Sequence, residues 1–231
     1  MIPPTSIDGT DITGATIDGT DVQEITVDGD VVFSAAPQDP AAGLLHQWDW
    51  SAANSTTSFV EDQAGSADAT GTFDSFDTIN GIQAGYWPNP GGFTANIPDF
   101  TDNRIIAAVF QTDLPSSQHS IYGDDAMVLR INNSNYFLFQ GSALNGGTAD
   151  TNPHISVVQL DATDILRIDG TQVISGNAGT ANIDDITFGA QANLDNHLEG
   201  RIGEILIYEL SSAPSFATIE NYLASKWGIT I

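Results

Sequence analysis

Short apolar runs separated by glycine, asparagine and aspartate make up most of the chain from residue 44 onward. Runs of this length, rich in β-branched and aromatic residues and bounded by turn formers, are typical of β-strands. The candidate strands are residues 44–50, 104–111, 127–131, 136–140, 154–160, 165–168, 185–188 and 201–208. Asp169-Gly170 predicts a hairpin turn into a further strand, 171–174. Their number and spacing favour a two-sheet antiparallel sandwich over alternating strands and helices.

Only the C-terminus has helical periodicity. One helix stripe would carry the apolar residues Phe216, Ile219, Leu223 and Trp227. Ser212 or Ser215 is expected to cap its start, Lys226 falls in the last turn, and Gly228 is suited to end it. The sequence therefore predicts an all-β domain with one short C-terminal helix.

An internal repeat occupies the first 33 residues. A β-branched residue followed by Asp-Gly recurs every ten residues, at Ile7, Ile17 and Val27. Asp-Gly favours a type I′ turn, so each copy is predicted to form a hairpin or one rung of a stacked β element. Three such units hold too few apolar residues for a core of their own.

We therefore expect residues 1–36 to be an anchoring or oligomerisation segment. It would pair with other copies of the chain, a trimer being favoured, or dock on a partner; a flexible tail is the alternative. Residues 37–42, which include Pro37 and Pro40, are typical of a linker. The second domain is predicted to span 43–231.

The charge is very unbalanced, with 30 acidic and 5 basic residues and a formal net charge of -25. Such a field repels itself at low ionic strength, whereas about 1 M salt screens it to roughly 3 Å. This favours adaptation to concentrated salt, with an acidic extracellular domain that binds calcium as the alternative. Nucleic acid is a poor partner for such a surface.

The chain has no cysteine, which excludes disulfides and thiolate chemistry. The first residues have neither the basic nor the apolar region of a secretory signal, and no apolar run is long enough for a membrane span. We therefore expect no signal peptide and no membrane insertion.

Two segments resemble the laminin-G-like family. His154-Ile-Ser-Val-Val-Gln-Leu followed by Ile165-Leu-Arg-Ile-Asp-Gly is similar to its "WH-x-hydrophobic" and "L-Y-V-D-G" strands, with Pro153 where tryptophan is usual. Leu198-Glu-Gly-Arg-Ile-Gly-Glu-Ile-Leu-Ile-Tyr, trailed by Tyr222-Leu-Ala-Ser-Lys-Trp-Gly-Ile, resembles its "G-x-i-x-E-i-i-i-y" strand and "Y-L-A-x-K-W/Y-G-I" helix. The resemblance implies a concanavalin A-like jelly roll whose members mostly bind glycans or proteins, often through calcium at one rim.

The N-terminal repeat is similar to Asp-Gly arrays on structural proteins of tailed viruses that infect halophilic archaea. This resemblance implies a protein of the virion surface, which needs no export signal because particles leave by lysis. Its partners would be other virion proteins through the N-terminal segment and a host glycan or glycoprotein through the sandwich.

The sequence does not predict an enzyme. A retaining glycosidase needs two carboxylates about 5–5.5 Å apart, yet Glu204 and Glu209 are expected on opposite faces of one strand. The four histidines lack a nucleophile-elbow context and the H-E-x-x-H spacing. No catalytic residue and no metal ligand is therefore assigned. Calcium stays open, with Asp124-Asp125, Asp184-Asp185 and Asp195-Asn196 as its oxygen-rich pairs.

Candidate ligand-binding residues come from turn-rich stretches that carry aromatic or amide side chains. They are Tyr86, Trp87, Asn89, Asn145, Asn193, Asp195 and Asn196. Aromatic rings stack on sugars, and amides or carboxylates bind hydroxyls. The alternative is that Trp87 and Phe93 fill the edge of the sandwich.

The expected function is a virion structural surface protein (fibre, spike or capsid decoration) that faces the host surface and binds glycans there. Its rivals are a cellular lectin-like adhesion protein of a halophile, a glycan-cleaving enzyme, and a capsid cement protein without a ligand.

Overall fold

The structure is a computed structural model. It describes residues 41–231, apart from residues 53, 88–90, 125 and 192–195 and the side chain of residue 184, together with the backbone of short strands within residues 6–34. The chain divides into two compact units, 1–39 and 40–231, and this division lies inside the predicted linker 37–42. Each unit is considered by itself.

The first unit contains three antiparallel strand pairs. They are β1 (Ser6–Ile7) with β2 (Thr10–Asp11), β3 (Thr16–Ile17) with β4 (Thr20–Asp21), and β5 (Glu24–Val27) with β6 (Asp30–Ser34). Each pair flanks one Asp-Gly of the repeat. The strands of each pair are separated by two residues, a spacing that hairpin turns favour. The anchoring and oligomerising role of this segment stays a prediction.

The second unit is a sandwich of two antiparallel sheets. Sheet 1 contains β7 (Leu44–Asp49), β10 (Ser75–Ile79), β11 (Ile82–Trp87), β13 (Arg104–Thr112), β18 (His154–Leu160), β19 (Asp164–Ile168), β20 (Thr171–Gly176) and β22 (Gly200–Glu209). Sheet 2 contains β8 (Phe59–Val60), β9 (Ala69–Gly71), β12 (Phe93–Phe100), β14 (His119–Gly123), β15 (Val128–Asn132), β16 (Asn135–Phe139), β17 (Ala143–Gly146) and β21 (Ile183–Phe188).

The order of strands in sheet 1 is β10-β11-β22-β13-β18-β19-β20. The strand β22 has β13 along one side, and along its other side it pairs first with β11 and then with β7. The order in sheet 2 is β17-β16-β15-β14-β21-β12-β9-β8. The prediction of an all-β, two-sheet antiparallel jelly roll is confirmed.

The core between the sheets is built around large rings. Trp48, Trp50, Trp87, Phe93 and Phe188 are all fully buried. Trp50 meets three of the other rings edge-on, with centroids 5.7–6.2 Å apart, the geometry that aromatic quadrupoles favour. Each such side chain removes a large apolar area from water, so this cluster is the main hydrophobic anchor of the sandwich.

The helix α1 (Phe216–Trp227) begins and ends as the sequence predicts. The Ser215 hydroxyl accepts a hydrogen bond from the Thr218 amide at 3.2 Å, and Gly228 ends the helix with φ = 63°. A left-handed residue costs glycine little, which explains its place there. The helix covers the outer face of sheet 1 and forms a second core with residues such as Leu206 and Tyr208. The second unit therefore has three layers.

A charged network lies buried between α1 and sheet 1. The carboxylate of Glu204 is fully buried and accepts hydrogen bonds from Gln47 at 2.8 Å, Tyr222 at 3.1 Å and Trp227 at 2.9 Å. The ammonium group of Lys226, the only lysine of the chain, lies 2.7 Å from this carboxylate. It also lies 2.8 Å from the carboxylate of Asp49. The network links the helix to both β7 and β22.

Candidate functional site

A groove of about 830 Å³ opens at one rim of the sandwich, and we call it the rim groove. Its lining comes from both sheets and the loop after β8, and includes Leu45, His46, Ser66, Asn96, Asp99, Phe100, Arg104, Ile207 and Glu209. Its volume falls in the range of pockets that hold small ligands. Its walls mix polar groups with the apolar edge of the core.

The alternation of β7 explains why His46 reaches this groove. His46, Trp48 and Trp50 share one face of the chain because successive side chains of a strand point to opposite sides. The two tryptophans are in the core, whereas His46 lies nearer the rim and stacks on Trp48 at 5.4 Å. The opposite wall comes from β12, whose pairing with β21 is irregular between Asn96 and Phe100.

The buried carboxylate of Asp62 fixes the base of the groove. It accepts backbone hydrogen bonds from Gln47 at 3.0 Å, Gly65 at 2.9 Å and Ala67 at 2.9 Å, and the ring of His46 donates to it at 2.6 Å. Although burial opposes ionisation, these bonds hold the pKa of Asp62 well below its usual range. The turn after β8 is therefore tied to β7.

Gly65 lies against the histidine in this arrangement. A Cβ at Gly65 would come 2.7 Å from Nδ1 of His46 and 2.5 Å from the Asp62 carboxylate. Only a residue without a side chain can approach a strand this closely. The glycine thus lets the loop form one wall of the groove.

Charged and amide groups line the outer part of the groove. The guanidinium of Arg104 pairs with Glu209 at 2.6 Å and lies 5.2 Å from the ring centroid of Phe100. Asn96 and Asp99 are exposed. Hydrogen-bond donors and acceptors thus surround an aromatic edge, an arrangement that suits a polyhydroxylated ligand.

Two sets of groups bear on whether the site could carry acid–base or nucleophilic chemistry: the carboxylates of Glu204 and Glu209, and the ring of His46. Glu204 faces α1, while Glu209 lines the rim groove, so the two carboxylates lie on opposite faces as predicted. Among the residues that the structure describes, no serine or threonine hydroxyl hydrogen bonds to His46. A nucleophile activated by this histidine would need such a contact.

The structure places two of the sequence-predicted residues at the end of β11. Trp87 is fully buried against Phe73 and Phe93, so its ring is not available to a ligand. This corrects its assignment to a binding site and matches the alternative that these rings fill the sandwich. The reason is topological: β11 belongs to sheet 1 and β12 to sheet 2, so both rings point into the core. Tyr86 is half-buried beneath the guanidinium of Arg201, 4.7 Å from its ring.

Of the other predicted residues, the two that the structure describes are not brought into one site. Asn145 is exposed on the edge strand β17, while the side chain of Asn196 donates to Gln191 and its backbone carbonyl accepts from Ser120. Three of the candidates, Asn89, Asn193 and Asp195, lie outside the described residues. The residues of the rim groove are not predictable from the sequence, because they are brought together by sheet packing that no local motif signals.

The described part of the chain offers no group of three or more His, Asp or Glu side chains that could hold a metal ion. The side chain of Asp124 instead accepts from the amides of Ala126 and Met127 within its own turn. In the described residues, no helix has the length and apolar character needed to cross a membrane.

A second, smaller depression of about 360 Å³ lies beside His154. Nδ1 of this histidine lies 2.6 Å from the carboxylate of Asp169, and Nε2 lies 3.1 Å from that of Asp150. Only the charged imidazolium can donate to both carboxylates at once. The rings of Phe110 and Tyr136 pack against it, at 5.8 and 6.2 Å. The arrangement joins the start of β18 to the turn between β19 and β20.

We expect this histidine to make stability depend on pH. Burial alone would lower the pKa of His154, but Asp169 and Asp150 outweigh it and raise the pKa above 6.5. A raised folded-state pKa gives stabilisation that is complete below 6.5 and is lost as pH rises through the folded value. The unfolding free energy should therefore decrease over that range in urea titrations. His154→Gln should flatten this decrease, and an unchanged slope in the variant would contradict the assignment.

Comparisons with known proteins identify the fold. No family model and no curated protein sequence matches the chain. Domain 4 of AbnA, a GH43 extracellular arabinanase from Geobacillus stearothermophilus, solved in complex with arabinotriose, aligns with a TM-score of 0.59 at 16% identity over 78% of this chain and 98% of that one.

Two toxin domains are similar as well. The binding domain of Paraclostridial Mosquitocidal Protein 1 aligns with a TM-score of 0.60 at 10% identity over 80% of this chain and 52% of that one. The binding domain of botulinum neurotoxin serotype D gives 0.58 at 13% identity over 80% and 51%. The chain thus spans about half of these two domains. At such identities, these likenesses show a shared β-sandwich fold.

Proposed function

We propose that this protein is a glycan-binding module without catalytic activity, and that the rim groove is its binding site. The observation that carries the proposal is the preformed groove itself, with exposed Asn96 and Asp99 beside the Arg104–Glu209 pair. The arabinotriose complex of the structurally similar arabinanase domain supports it, because it shows that a sandwich of this kind can hold a short oligosaccharide.

The volume of the groove, about 830 Å³, suits a short oligosaccharide. Its ordered base needs no rearrangement on binding, since the bonds to Asp62 already fix the loop. Pre-organisation of this kind reduces the entropy lost on binding. The ion pair and the exposed amide offer both donors and acceptors, which sugar hydroxyls require.

We further propose that the protein acts on the surface of the particle of a virus that infects halophilic archaea. The net charge of -25 and the three N-terminal strand pairs support this proposal. In this arrangement, residues 1–36 dock on the particle and the sandwich faces the host. Mass spectrometry of purified particles tests it, and absence of the chain from them would favour a cellular adhesion protein.

Binding by the groove is tested with a glycan array, arabinan oligosaccharides included, in about 2 M KCl, where repulsion is screened. We expect at least one neutral oligosaccharide to bind. Asn96→Ala and Asp99→Ala should each weaken binding by about tenfold, the effect of about 1.4 kcal/mol. Both side chains are exposed, so folding should be unaffected. Gln172→Ala, an exposed amide on β20 away from the groove, serves as the matched control.

Three outcomes would contradict the groove as a binding site. Silence for every glycan would favour a cement protein without a ligand. Shortening of a bound polysaccharide would make the protein an enzyme. If the groove variants bound the glycan as tightly as the unchanged protein, the binding site would lie elsewhere on the molecule.

A further inference from the structure

Among the residues that the structure describes, one of the five cationic side chains has no carboxylate partner. The four paired ones are Arg104 with Glu209, Arg167 with Glu220, Arg201 with Asp77 and Asp113, and Lys226 with Asp49 and Glu204. Within the part of the chain that the structure describes, Arg130 makes no ion pair. In a protein with 30 acidic residues, an arginine left without a carboxylate is unexpected on electrostatic grounds.

Arg130 lies on the outer face of sheet 2. Its neighbours in β15, Leu129 and Ile131, belong to the core between the sheets, so the arginine points away from that core. The Cα partners in the sheet place Ser120, Arg130, Phe137 and Asn145 in one row across β14, β15, β16 and β17. Directly paired residues share a face, with Cβ atoms about 5 Å apart. We call this row the arginine row.

The polar atoms of the row are poorly satisfied. The guanidinium of Arg130 lies 3.9 Å from the ring centroid of Phe137, and its buried Nε has no hydrogen-bond acceptor among the described residues. The hydroxyl of Ser120, in a fully buried residue paired with Arg130, has no partner there either. Buried polar groups are normally paired. Ser120 is out of reach of solvent, whereas Arg130 is partly exposed, so its guanidinium is the group of this row that a ligand can reach.

The electrostatics of this arginine differ from those of its paired counterparts. Burial lowers the pKa of Arg130, and none of the described carboxylates counteracts it. For Arg201, burial is outweighed by Asp113 and Asp77, which raise the pKa. A ligand carboxylate would supply the missing charge to Arg130 as a bidentate, charge-assisted pair.

The surroundings of the row indicate what else the ligand carries. Phe139 is partly exposed and stacks on Phe137, with centroids 6.3 Å apart and an angle of 12°. Of its row neighbours, Ala143 is exposed and extends the apolar surface, whereas Val128 is buried. The exposed amide of Asn145 lies at the end of the arginine row. A flat apolar surface with an amide and a guanidinium beside it matches a sugar ring that bears a carboxylate.

We propose that the arginine row and Phe139 form a second binding site, which takes a monosaccharide unit carrying a carboxylate, of the hexuronic acid class. Arg130 binds the carboxylate, Phe139 packs against the sugar ring, and Asn145 binds a hydroxyl. The site is separate from the rim groove and does not depend on it. It would give the protein a preference for acidic polysaccharide chains.

The test is an NMR titration of the full-length protein in about 2 M KCl with methyl β-glucuronide, methyl β-glucoside and acetate as the three probes. We expect saturable shifts of the Phe139 signals with the glucuronide. The glucoside and acetate should each bind at least about tenfold more weakly, because the glucoside lacks the carboxylate and acetate lacks the sugar ring. Equal binding of glucuronide and glucoside, or of glucuronide and acetate, would overturn the proposal.

Variants identify the side chains that hold the glucuronide. Arg130→Gln should weaken glucuronide binding about tenfold or more, and Arg130→Lys should retain part of it, because an ammonium keeps the charge but not the fork. Asn145→Ala changes only an exposed side chain and should weaken binding without affecting folding. Asn221→Ala, an exposed amide on α1 and distant from both proposed sites, should leave glucuronide binding unchanged. Loss of binding in Asn221→Ala, or full binding in Arg130→Gln, would contradict the second site.

Discussion

Replacing Lys226 by methionine is expected to lower the free energy of unfolding by about 3–5 kcal/mol, the usual cost of breaking a buried ion pair from one side. The carboxylate of Glu204, fully buried, would lose its cationic partner at 2.7 Å, and Asp49 would lose its own at 2.8 Å. Burial already raises the pKa of Glu204, with Lys226 opposing it. The measurement is urea unfolding of both proteins at constant salt.

A second substitution distinguishes a lost charge balance from lost packing. Lys226→Met combined with Glu204→Gln removes the more deeply buried of the two uncompensated carboxylates and leaves Asp49, so it should recover part of the stability. Arg104→Gln breaks a more exposed ion pair, with Glu209, and should cost at most about 1 kcal/mol. If Lys226→Met cost no more than Arg104→Gln, the network would not stabilise the attachment of the helix.

Transfer from about 2 M to about 0.1 M KCl is expected to lower the melting temperature by roughly 10 °C, which for a domain of this size corresponds to about 3–4 kcal/mol. The net charge of -25 is the reason, since the screening length grows from a few ångströms to about 10 Å. At that length, most surface carboxylates repel several neighbours. Thermal unfolding followed by circular dichroism at several salt concentrations measures the effect.

Charge reversal provides the matched test. Glu61→Lys together with Asp99→Lys changes two exposed side chains, and it should reduce the difference in melting temperature between the two salt concentrations. Sucrose stabilises folded proteins because it is excluded from their surface, but it does not screen charge. It should therefore not restore the melting temperature that the protein has in concentrated KCl. Full stability of the unchanged protein in dilute buffer would refute adaptation to concentrated salt.

Much of the fold can be predicted from local sequence patterns. The helix is predictable because Ser215, Lys226 and Gly228 each act within one turn of its ends. The hairpin of β19 and β20 is predictable because the turn Asp169-Gly170 adopts positive φ at both residues. In both cases the signal and the structure it specifies lie within a few residues of one another.

Other strands escape prediction because their signals are weak or interrupted. Pro98 lies inside β12, at the irregular part of its pairing with β21. Because proline cannot donate a ladder hydrogen bond, its presence weakens the sequence signal for a strand. The glycines and prolines before Phe93 suggest a loop that presents rings, whereas this connection carries the chain from sheet 1 to sheet 2. Sequence periodicity describes one strand and does not state which sheet the next strand joins.

The candidate sites could not be predicted for the same reason. His46 and Asp62 are 16 residues apart, and Asn96 reaches the same groove from the other sheet. Arg130 stands out because no carboxylate among the described residues pairs with it. This feature is visible only in the folded structure, so the sequence cannot predict it. Asn145 stands out in the sequence as a polar loop residue, and the structure places it on a strand beside Phe137.

The pairing of β7 with β22 has a consequence for biosynthesis. Asp49 faces Glu204 and Trp48 faces Ile205 across this ladder, so the first strand of the sandwich pairs with its last strand. While the chain is being translated, β7 has no partner on that side and the rings of Trp48 and Trp50 lack much of their packing. Contacts between such distant segments slow folding. The ladder between β7 and β22 can therefore close only after the ribosome has released β22.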